Sequence, residues 1–133
     1  MPNYRIILVD DHVLVREGLK RLIQEDPELH VVDAVGDGLE LLEILEESTP
    51  DMVIIDMNMP RLGGLETTKF VKKLYPDIKI LVITMNKSKE LLYQAMDNGA
   101  NGYLLKEDAI DVLHSAIKSI RLGKTFISPL IYG

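Results

Sequence analysis

The stretch Met52-Val53-Ile54-Ile55-Asp56-Met57-Asn58-Met59-Pro60 decides how the rest of this sequence is interpreted. Four apolar residues lead into the carboxylate of Asp56, and Pro60 follows as a turn signal. A short, unbroken apolar run of this kind indicates a strand that is buried on both faces. Side chains that follow such strands in a parallel α/β sheet lie at its carboxyl edge, where ligands bind. Asp56 is therefore the first candidate for chemistry.

Length and composition fit a single cytoplasmic domain. The chain has 133 residues and a formal net charge of −6, and such a length is typical of one domain with its own core. No apolar run approaches the ~20 residues of a membrane helix, and no signal peptide is visible. The absence of cysteine excludes disulfides and thiolate chemistry. We expect no membrane contact, and the negative charge argues against DNA binding by this chain itself.

Five apolar runs alternate with stretches in which apolar residues recur at helical spacing. The runs that we expect to be strands cover residues 4–9, 30–35, 52–55, 78–83 and 102–105. Alternation with short connections predicts a parallel sheet with helices on both faces. We therefore predict a doubly wound α/β fold of the (βα)5 type, with five strands and five helices.

Local signals also predict the behaviour of single side chains in the helices. Ser88 can cap the fourth helix and Asp108 can cap the fifth. Gly99 follows the fourth helix as a stop signal. In the third helix, the spacing predicts that Val71 and Leu74 face inward.

Polar residues directly follow four of the predicted strands. They are Asp10 and Asp11, Asp56, Thr84 and Lys106. All of them would therefore lie on one edge of a parallel sheet. The flavodoxin-like strand order 2-1-3-4-5 makes the first and third strands neighbours, so that Asp10 and Asp11 meet Asp56.

Such a cluster suits a metal ion and a phosphoryl group. Three carboxylates held together repel one another and resist ionisation, and Mg²⁺, which prefers oxygen ligands, relieves that repulsion. The alternative for Asp10 and Asp11 is a helix N-cap with a first-turn charge. Asp56 could form an acyl phosphate. A metal ion and Lys106 would neutralise the transferring oxygens, and the Thr84 hydroxyl could donate to one of them.

Five short motifs fall at or beside the predicted strand ends. They are Ile-Leu-Val-Asp-Asp-His (7–12), Ile-Ile-Asp-Met-Asn-Met-Pro (54–60), Gly-Gly (63–64), Ile-Thr (83–84) and Gly-Tyr-Leu-Leu-Lys (102–106). In this order they resemble the receiver domain of two-component response regulators. The resemblance implies a phosphoacceptor signalling domain that catalyses only its own phosphorylation and dephosphorylation.

The resemblance also implies a role for each residue of the cluster. Asp56 would accept the phosphoryl group from the phosphohistidine of a sensor histidine kinase. Asp11, Asp56 and the backbone carbonyl of Asn58 would bind Mg²⁺ directly, and Asp10 would act mostly through water.

Three further residues would contact the phosphoryl group or switch the conformation. By the same resemblance, Thr84 and Lys106 would contact the phosphoryl group, and Tyr103 would be the aromatic switch residue. If Thr84 moved toward the phosphoryl group, the Tyr103 ring could fill the space that it left. A partner domain or a second copy of the chain, in a homodimer, would then read the changed surface.

The subfamily and the domain boundary follow from four longer motifs, at residues 9–12, 15–19, 99–106 and 123–128. They are similar to the NarL/FixJ subfamily, whose members usually carry a LuxR-type helix-turn-helix domain. The similarity predicts a receiver domain over residues 4–122 and a tail over 123–133 that begins a linker. Transcriptional output, and any contact with DNA, would need that further domain. A stand-alone receiver acting through protein contacts is the alternative.

Three other functions are weaker interpretations of the same residues. A haloacid-dehalogenase-type phosphatase needs a second aspartate two residues after the first, where this chain has Asn58. An FMN site of the flavodoxin kind needs a phosphate-binding loop after the first strand, where Asp10 and Asp11 would repel a phosphate. A pseudo-receiver that signals without phosphorylation would not need all the site residues of a receiver, and this chain has the whole set.

Overall fold

The structure is a computed structural model that describes residues 3–59 and 61–131. Pro60 and the last two residues of the predicted tail lie outside the described residues. The strands are β1 (Tyr4–Val9), β2 (Leu29–Val35), β3 (Met52–Asp56), β4 (Lys79–Thr84), β5 (Gly102–Leu105) and β6 (Phe126–Ile127). The helices are α1 (Val13–Ile23), α2 (Gly38–Leu45), α3 (Gly64–Leu74), α4 (Lys89–Asp97) and α5 (Ala109–Arg121). Short 3-10 turns cover Lys106–Asp108 and Pro129–Ile131.

The described strands form one parallel sheet in the order β2-β1-β3-β4-β5-β6. The predicted α/β fold and the order 2-1-3-4-5 are confirmed. The sixth strand was not predicted, because a strand of two residues is too short to show a period. The boundary between residues 122 and 123 stays a prediction.

The sheet has a separate apolar core on each face, which explains the unbroken apolar run of β3. Val53 and Ile55 pack in the cluster that includes residues of α2, α3 and α4. Met52 and Ile54 pack in the cluster that includes residues of α1 and α5. Because successive side chains of a strand point to opposite faces, a central strand between two layers of helices needs apolar residues at every position.

Most of the local signals act as predicted, with two exceptions. The Ser88 hydroxyl accepts a hydrogen bond from the Leu91 N–H at 3.3 Å, and Gly99 has a φ of +104° after α4. Leu74, however, is 61% exposed, so its predicted inward orientation is wrong. It lies in the last turn of α3 and lines an open groove at the amino edge of the sheet.

The second exception is Asp108, whose side chain does not cap α5. The residue belongs to the 3-10 turn that precedes the helix, and its carboxylate accepts a hydrogen bond from the Ser128 hydroxyl instead. None of the helices within residues 3–59 and 61–131 is both long and apolar enough to span a bilayer.

Candidate functional site

The register of the sheet brings the predicted site residues to one edge. Val9 is paired with Ile55, so Asp10 and Asp56 both come next on their neighbouring strands. Asp10 is 2% exposed and Asp56 is 4% exposed. Buried carboxylates of this kind need a partner that offsets the cost of removing their charge from water.

Lys106 supplies that partner from the end of β5. Its ammonium nitrogen lies 3.2 Å from Asp56 Oδ1 and 3.2 Å from Asp10 Oδ2. Because Thr84 is paired with Leu105 across β4 and β5, the residue after Leu105 faces the same edge. The structure therefore brings Asp10, Asp56 and Lys106 together, as the strand-end argument predicts.

The charges in this cluster oppose one another. Burial raises the pKa of Asp56, the charge of Asp10 raises it further, and the nearby ammonium of Lys106 only partly offsets both effects. Burial lowers the pKa of Lys106, but the two carboxylates outweigh that effect, so the pKa of the ammonium is raised. The site thus holds more negative charge than its own lysine neutralises.

The donor set fits a hard divalent cation. Ligand atoms of Asp10, Asp11, His12 and Asp56 all lie within 4.8 Å of one another. Asp10 Oδ2 is buried and faces the Lys106 ammonium at 3.2 Å, but no hydrogen bond of good geometry from the described residues reaches it. Carboxylate oxygens converging in this way suit Mg²⁺, which is bound by one or two carboxylates together with water and phosphate oxygens.

His12 was not among the predicted site residues. Its ring nitrogen Nδ1 lies 3.3 Å from Asp10 Oδ1 and 3.2 Å from Asp11 Oδ1, and its backbone N–H donates to Asp10 Oδ1 at 2.9 Å. The sequence feature that could have identified His12 is its position directly after Asp10 and Asp11. The imidazole lies at the exposed side of the cluster, where it borders the opening to solvent.

The loop after β3 leads into α3, whose first residue is packed closely against the backbone of Asp56. A Cβ atom on Gly64 would lie 2.4 Å from the Asp56 carbonyl oxygen, so only glycine permits this approach. The Gly64 N–H donates to the Met57 carbonyl at 3.0 Å. Asn58, whose carbonyl was expected to bind a metal ion, is exposed two residues after Asp56.

The same loop is tied to α2 by an ion pair that the sequence did not predict. Arg61 has a φ of +62°, which is unusual for a residue with a side chain, and its Nε donates to Asp37 Oδ2 at 2.7 Å. The Asp37 carboxylate also accepts from the Glu40 N–H at 3.0 Å and so caps α2. These contacts hold the pKa of Asp37 below its usual value, chiefly through the backbone hydrogen bond from Glu40.

Thr84 and Tyr103 both contact Asn86, a residue that the sequence did not single out. The Thr84 hydroxyl oxygen accepts from the Asn86 N–H at 3.1 Å, and the Tyr103 hydroxyl donates to the Asn86 carbonyl at 3.2 Å. Tyr103 is fully buried, so its ring already lies in the interior before any movement of Thr84. The predicted switch residues thus both contact the loop between β4 and α4.

Comparisons with known proteins agree with this geometry. A family model described as the response regulator receiver domain matches residues 6–118. The transcriptional regulatory protein DegU of Brevibacillus brevis is 38% identical over 127 residues, which are 96% of this chain and 54% of that protein.

Solved structures match over nearly the whole chain. A LuxR-family two-component response regulator from Aurantimonas has a TM-score of 0.93 at 37% identity, covering 98% of this chain and 93% of that one. A structure of two RcsB dimers bound to two parallel DNAs has a TM-score of 0.90 at 27% identity, covering 98% of this chain and 66% of that one. This chain spans 54% to 61% of the length of the curated relatives that it matches.

Proposed function

This chain belongs to the family of response regulator receiver domains, and on that premise we propose that Asp56 accepts a phosphoryl group from the phosphohistidine of a sensor histidine kinase. A receiver is a phosphoacceptor signalling domain rather than an enzyme. The observation that carries the proposal is the position of the Lys106 ammonium, 3.2 Å from both Asp56 and the buried Asp10 at the carboxyl edge of the sheet.

The proposed transfer uses the Asp56 carboxylate as a nucleophile. One of its oxygens forms a bond to phosphorus while the bond between phosphorus and the histidine nitrogen breaks. The imidazole ring leaves with the electron pair on that nitrogen and keeps the proton on its other nitrogen. Asp56 thereby becomes an acyl phosphate, and the kinase histidine becomes a neutral imidazole. Lys106 is close enough to turn its positive charge toward the phosphoryl oxygens. The Thr84 hydroxyl could donate to one of them after giving up its contact with Asn86.

Mg²⁺ is the cofactor that we propose for this step. Asp11, Asp56 and the Asn58 carbonyl would hold it directly, and Asp10 would act mostly through water. When bound, the ion supplies positive charge that neutralises the clustered carboxylates and the phosphoryl oxygens. The convergence of Asp10, Asp11 and Asp56 supports this assignment.

We propose that the switch runs through Asn86. If Thr84 turns toward the phosphoryl group, the Asn86 N–H loses its acceptor, and the bond from the Tyr103 hydroxyl must adjust with it. The loop between β4 and α4 would then change shape. A local charge has a distant effect only through an element with two stable arrangements, and this loop is our candidate.

The output that we propose is transcriptional control in the cytoplasm through a LuxR-type DNA-binding domain outside this chain. DegU is a transcriptional regulator, and RcsB binds DNA as a dimer. By analogy, phosphorylation would favour a homodimer, and DNA would be contacted only by the further domain. A stand-alone receiver that acts through protein contacts is the alternative, and a promoter bound by the chain itself would contradict both.

Labelling with a small phosphodonor tests the acceptor. Acetyl phosphate with Mg²⁺ should add the mass of one phosphoryl group to the chain, and EDTA should prevent the addition. Asp56→Asn should abolish it. Asp77→Asn, which alters an exposed aspartate before β4, should label like the wild type. Undiminished labelling of Asp56→Asn would rule out the assignment.

A further inference from the structure

The chain that follows α5 returns to the sheet and lies beside β5. Residues 126–131, which we call the tail segment, begin with β6, where Ile127 is paired with Tyr103. The Ser128 N–H donates to the Tyr103 carbonyl at 2.9 Å. Ile131 is 6% exposed and packs in the same apolar cluster as Tyr103. The tail segment is therefore docked on the strand that carries Tyr103 and leads into Lys106.

Ser128 connects the tail segment to both sides of Lys106. Its side chain is fully buried. The hydroxyl oxygen accepts from the Leu105 N–H at 3.2 Å, and the hydroxyl donates to the Asp108 carboxylate. Leu105 immediately precedes Lys106, and Asp108 ends the 3-10 turn that Lys106 begins. One side chain of the tail segment thus contacts the Leu105 backbone before Lys106, the lysine that touches Asp56, and the Asp108 side chain after it.

Breaking either of the two hydrogen bonds of the Ser128 hydroxyl is costly. A serine hydroxyl has one donor and can accept from another group, and both capacities are used here. A fully buried hydroxyl such as that of Ser128 is costly to leave without its partners, because no water replaces them. If the turn at Lys106–Asp108 shifts, Ser128 must either move with it or lose a bond.

We propose that Ser128 is a positioning residue for Lys106 and that the tail segment is a latch that carries the state of the phosphoryl site into the chain beyond it. The inference rests on the proposed function. When Lys106 exchanges the Asp56 carboxylate for a phosphoryl oxygen, the short turn that it begins shifts with it. Leu105 and Asp108 pass that shift to Ser128, and β6 passes it to the residues that follow.

The simpler interpretation is that β6 only covers the edge of β5. An exposed strand edge invites pairing with other chains, and a short sixth strand protects against that. Such a cover would not respond to the phosphoryl site. The two interpretations therefore differ in whether the amides of the tail segment change when the site is filled.

Amide NMR of the chain with Mg²⁺, before and after beryllofluoride is added, separates these two interpretations. Beryllofluoride stands in for the phosphoryl group on Asp56. The Ile127 and Ser128 signals should shift together with the Met57 and Gly64 signals beside Asp56. In Ser128→Ala the shifts of the tail segment should be lost while those of Met57 and Gly64 persist.

Hydrogen exchange and matched variants test the route through Ser128. Exchange of the Leu105 amide should rise roughly three- to tenfold in Ser128→Ala, as expected for the loss of one hydrogen bond. Asp108→Ala should also lose the response of the tail segment to beryllofluoride, whereas Asp108→Asn keeps an acceptor oxygen for the Ser128 hydroxyl and should retain that response. Ser115→Ala, an exposed position of α5, is the control and should change nothing.

Each contrary result identifies which step has failed. A response at Met57 and Gly64 without one at Ile127 and Ser128 would overturn the latch and leave the proposed function standing. A tail response that survives in both Ser128→Ala and Asp108→Ala would overturn the role of Ser128. No response anywhere, together with no labelling of Asp56, would overturn the proposed function and the latch with it.

Discussion

The ammonium nitrogen of Lys106 lies 3.2 Å from Oδ1 of Asp56. The lysine that is expected to contact the phosphoryl group is therefore already paired with the carboxylate that is expected to receive it. The Lys106 side chain is 16% exposed and that of Asp56 is 5% exposed, so little water screens the pair. The burial of Asp56 and its repulsion from Asp10 are the costs that this ammonium partly offsets.

Lys106→Ala should destabilise the chain because it leaves two buried carboxylates without their counter-charge. We expect a loss of about 1–3 kcal/mol at neutral pH, the range for a partly buried charged contact. Lys87→Ala is the control, because its pair with Glu107 at 3.3 Å is exposed on both sides and such pairs contribute about 0–1 kcal/mol. Urea unfolding measures both variants, and equal losses would contradict the importance of the buried pair.

Asp56→Asn should become more stable than the wild type as the pH rises. Burial, together with the charge of Asp10, raises the pKa of Asp56 in the folded chain above its usual value of 3.8. Its favourable contribution is therefore fully present below pH 3.8 and is lost as the pH rises through the folded-state pKa. Asparagine carries no charge to lose. Urea unfolding without Mg²⁺ measures the difference in free energy of unfolding between the variant and the wild type. This difference should increase as the pH rises through the folded-state pKa of Asp56.

Asp37→Asn should show the opposite pH dependence. Its pKa is lowered, chiefly by the backbone hydrogen bond from Glu40, despite the opposing effect of burial. The stabilisation is present above pH 3.8 and is lost as the pH falls through the folded-state pKa. The variant should therefore be weaker than the wild type at neutral pH, and the gap should close in acid. A gap that is independent of pH would mean that the carboxylate charge of Asp37 has no part in it.

Mg²⁺ should raise the unfolding temperature of the wild type and do so less in Asp11→Asn. A ligand at a hundred times its Kd adds about 2.7 kcal/mol to the free energy of unfolding. Asp11→Asn removes one carboxylate of the cluster, so the same Mg²⁺ concentration should stabilise it less. Asp97→Asn changes an exposed aspartate at the end of α4 and should respond like the wild type. An equal rise in Asp11→Asn would exclude Asp11 as a ligand.

Tyr103→Phe should loosen the loop between β4 and α4 without unfolding the sheet. The change removes the hydrogen bond from the Tyr103 hydroxyl to the Asn86 carbonyl, at a cost of about 0.5–1.5 kcal/mol. Amide exchange at Asn86 should become faster, and Asp56 should still be labelled by acetyl phosphate. Tyr93→Phe, on the exposed face of α4, is the control. Unchanged exchange at Asn86 would show that Tyr103 does not hold this loop.

The sequence by itself determined the sheet and the edge at which its polar strand ends meet. The unbroken apolar run at 52–55 and the alternation of strands with helices predicted a parallel sheet, and the flavodoxin-like order 2-1-3-4-5, which brings Asp10 and Asp11 next to Asp56, proved correct. The carboxyl ends of parallel strands share one edge, so the convergence of Asp10, Asp56 and Lys106 followed from their places along the chain. These features depend on local periodicity and on general rules of topology, which a single sequence displays.

The tertiary structure alone decided which side chains touch. The bonds from Thr84 and Tyr103 to Asn86, the contact of Ser128 with Asp108, and the ion pair of Arg61 with Asp37 join segments that are distant in sequence or lie in loops without a period. Leu74 fits the helical stripe but lies beyond the covered part of α3. Such contacts depend on register and on how closely backbones approach, and these are set only when the whole chain packs.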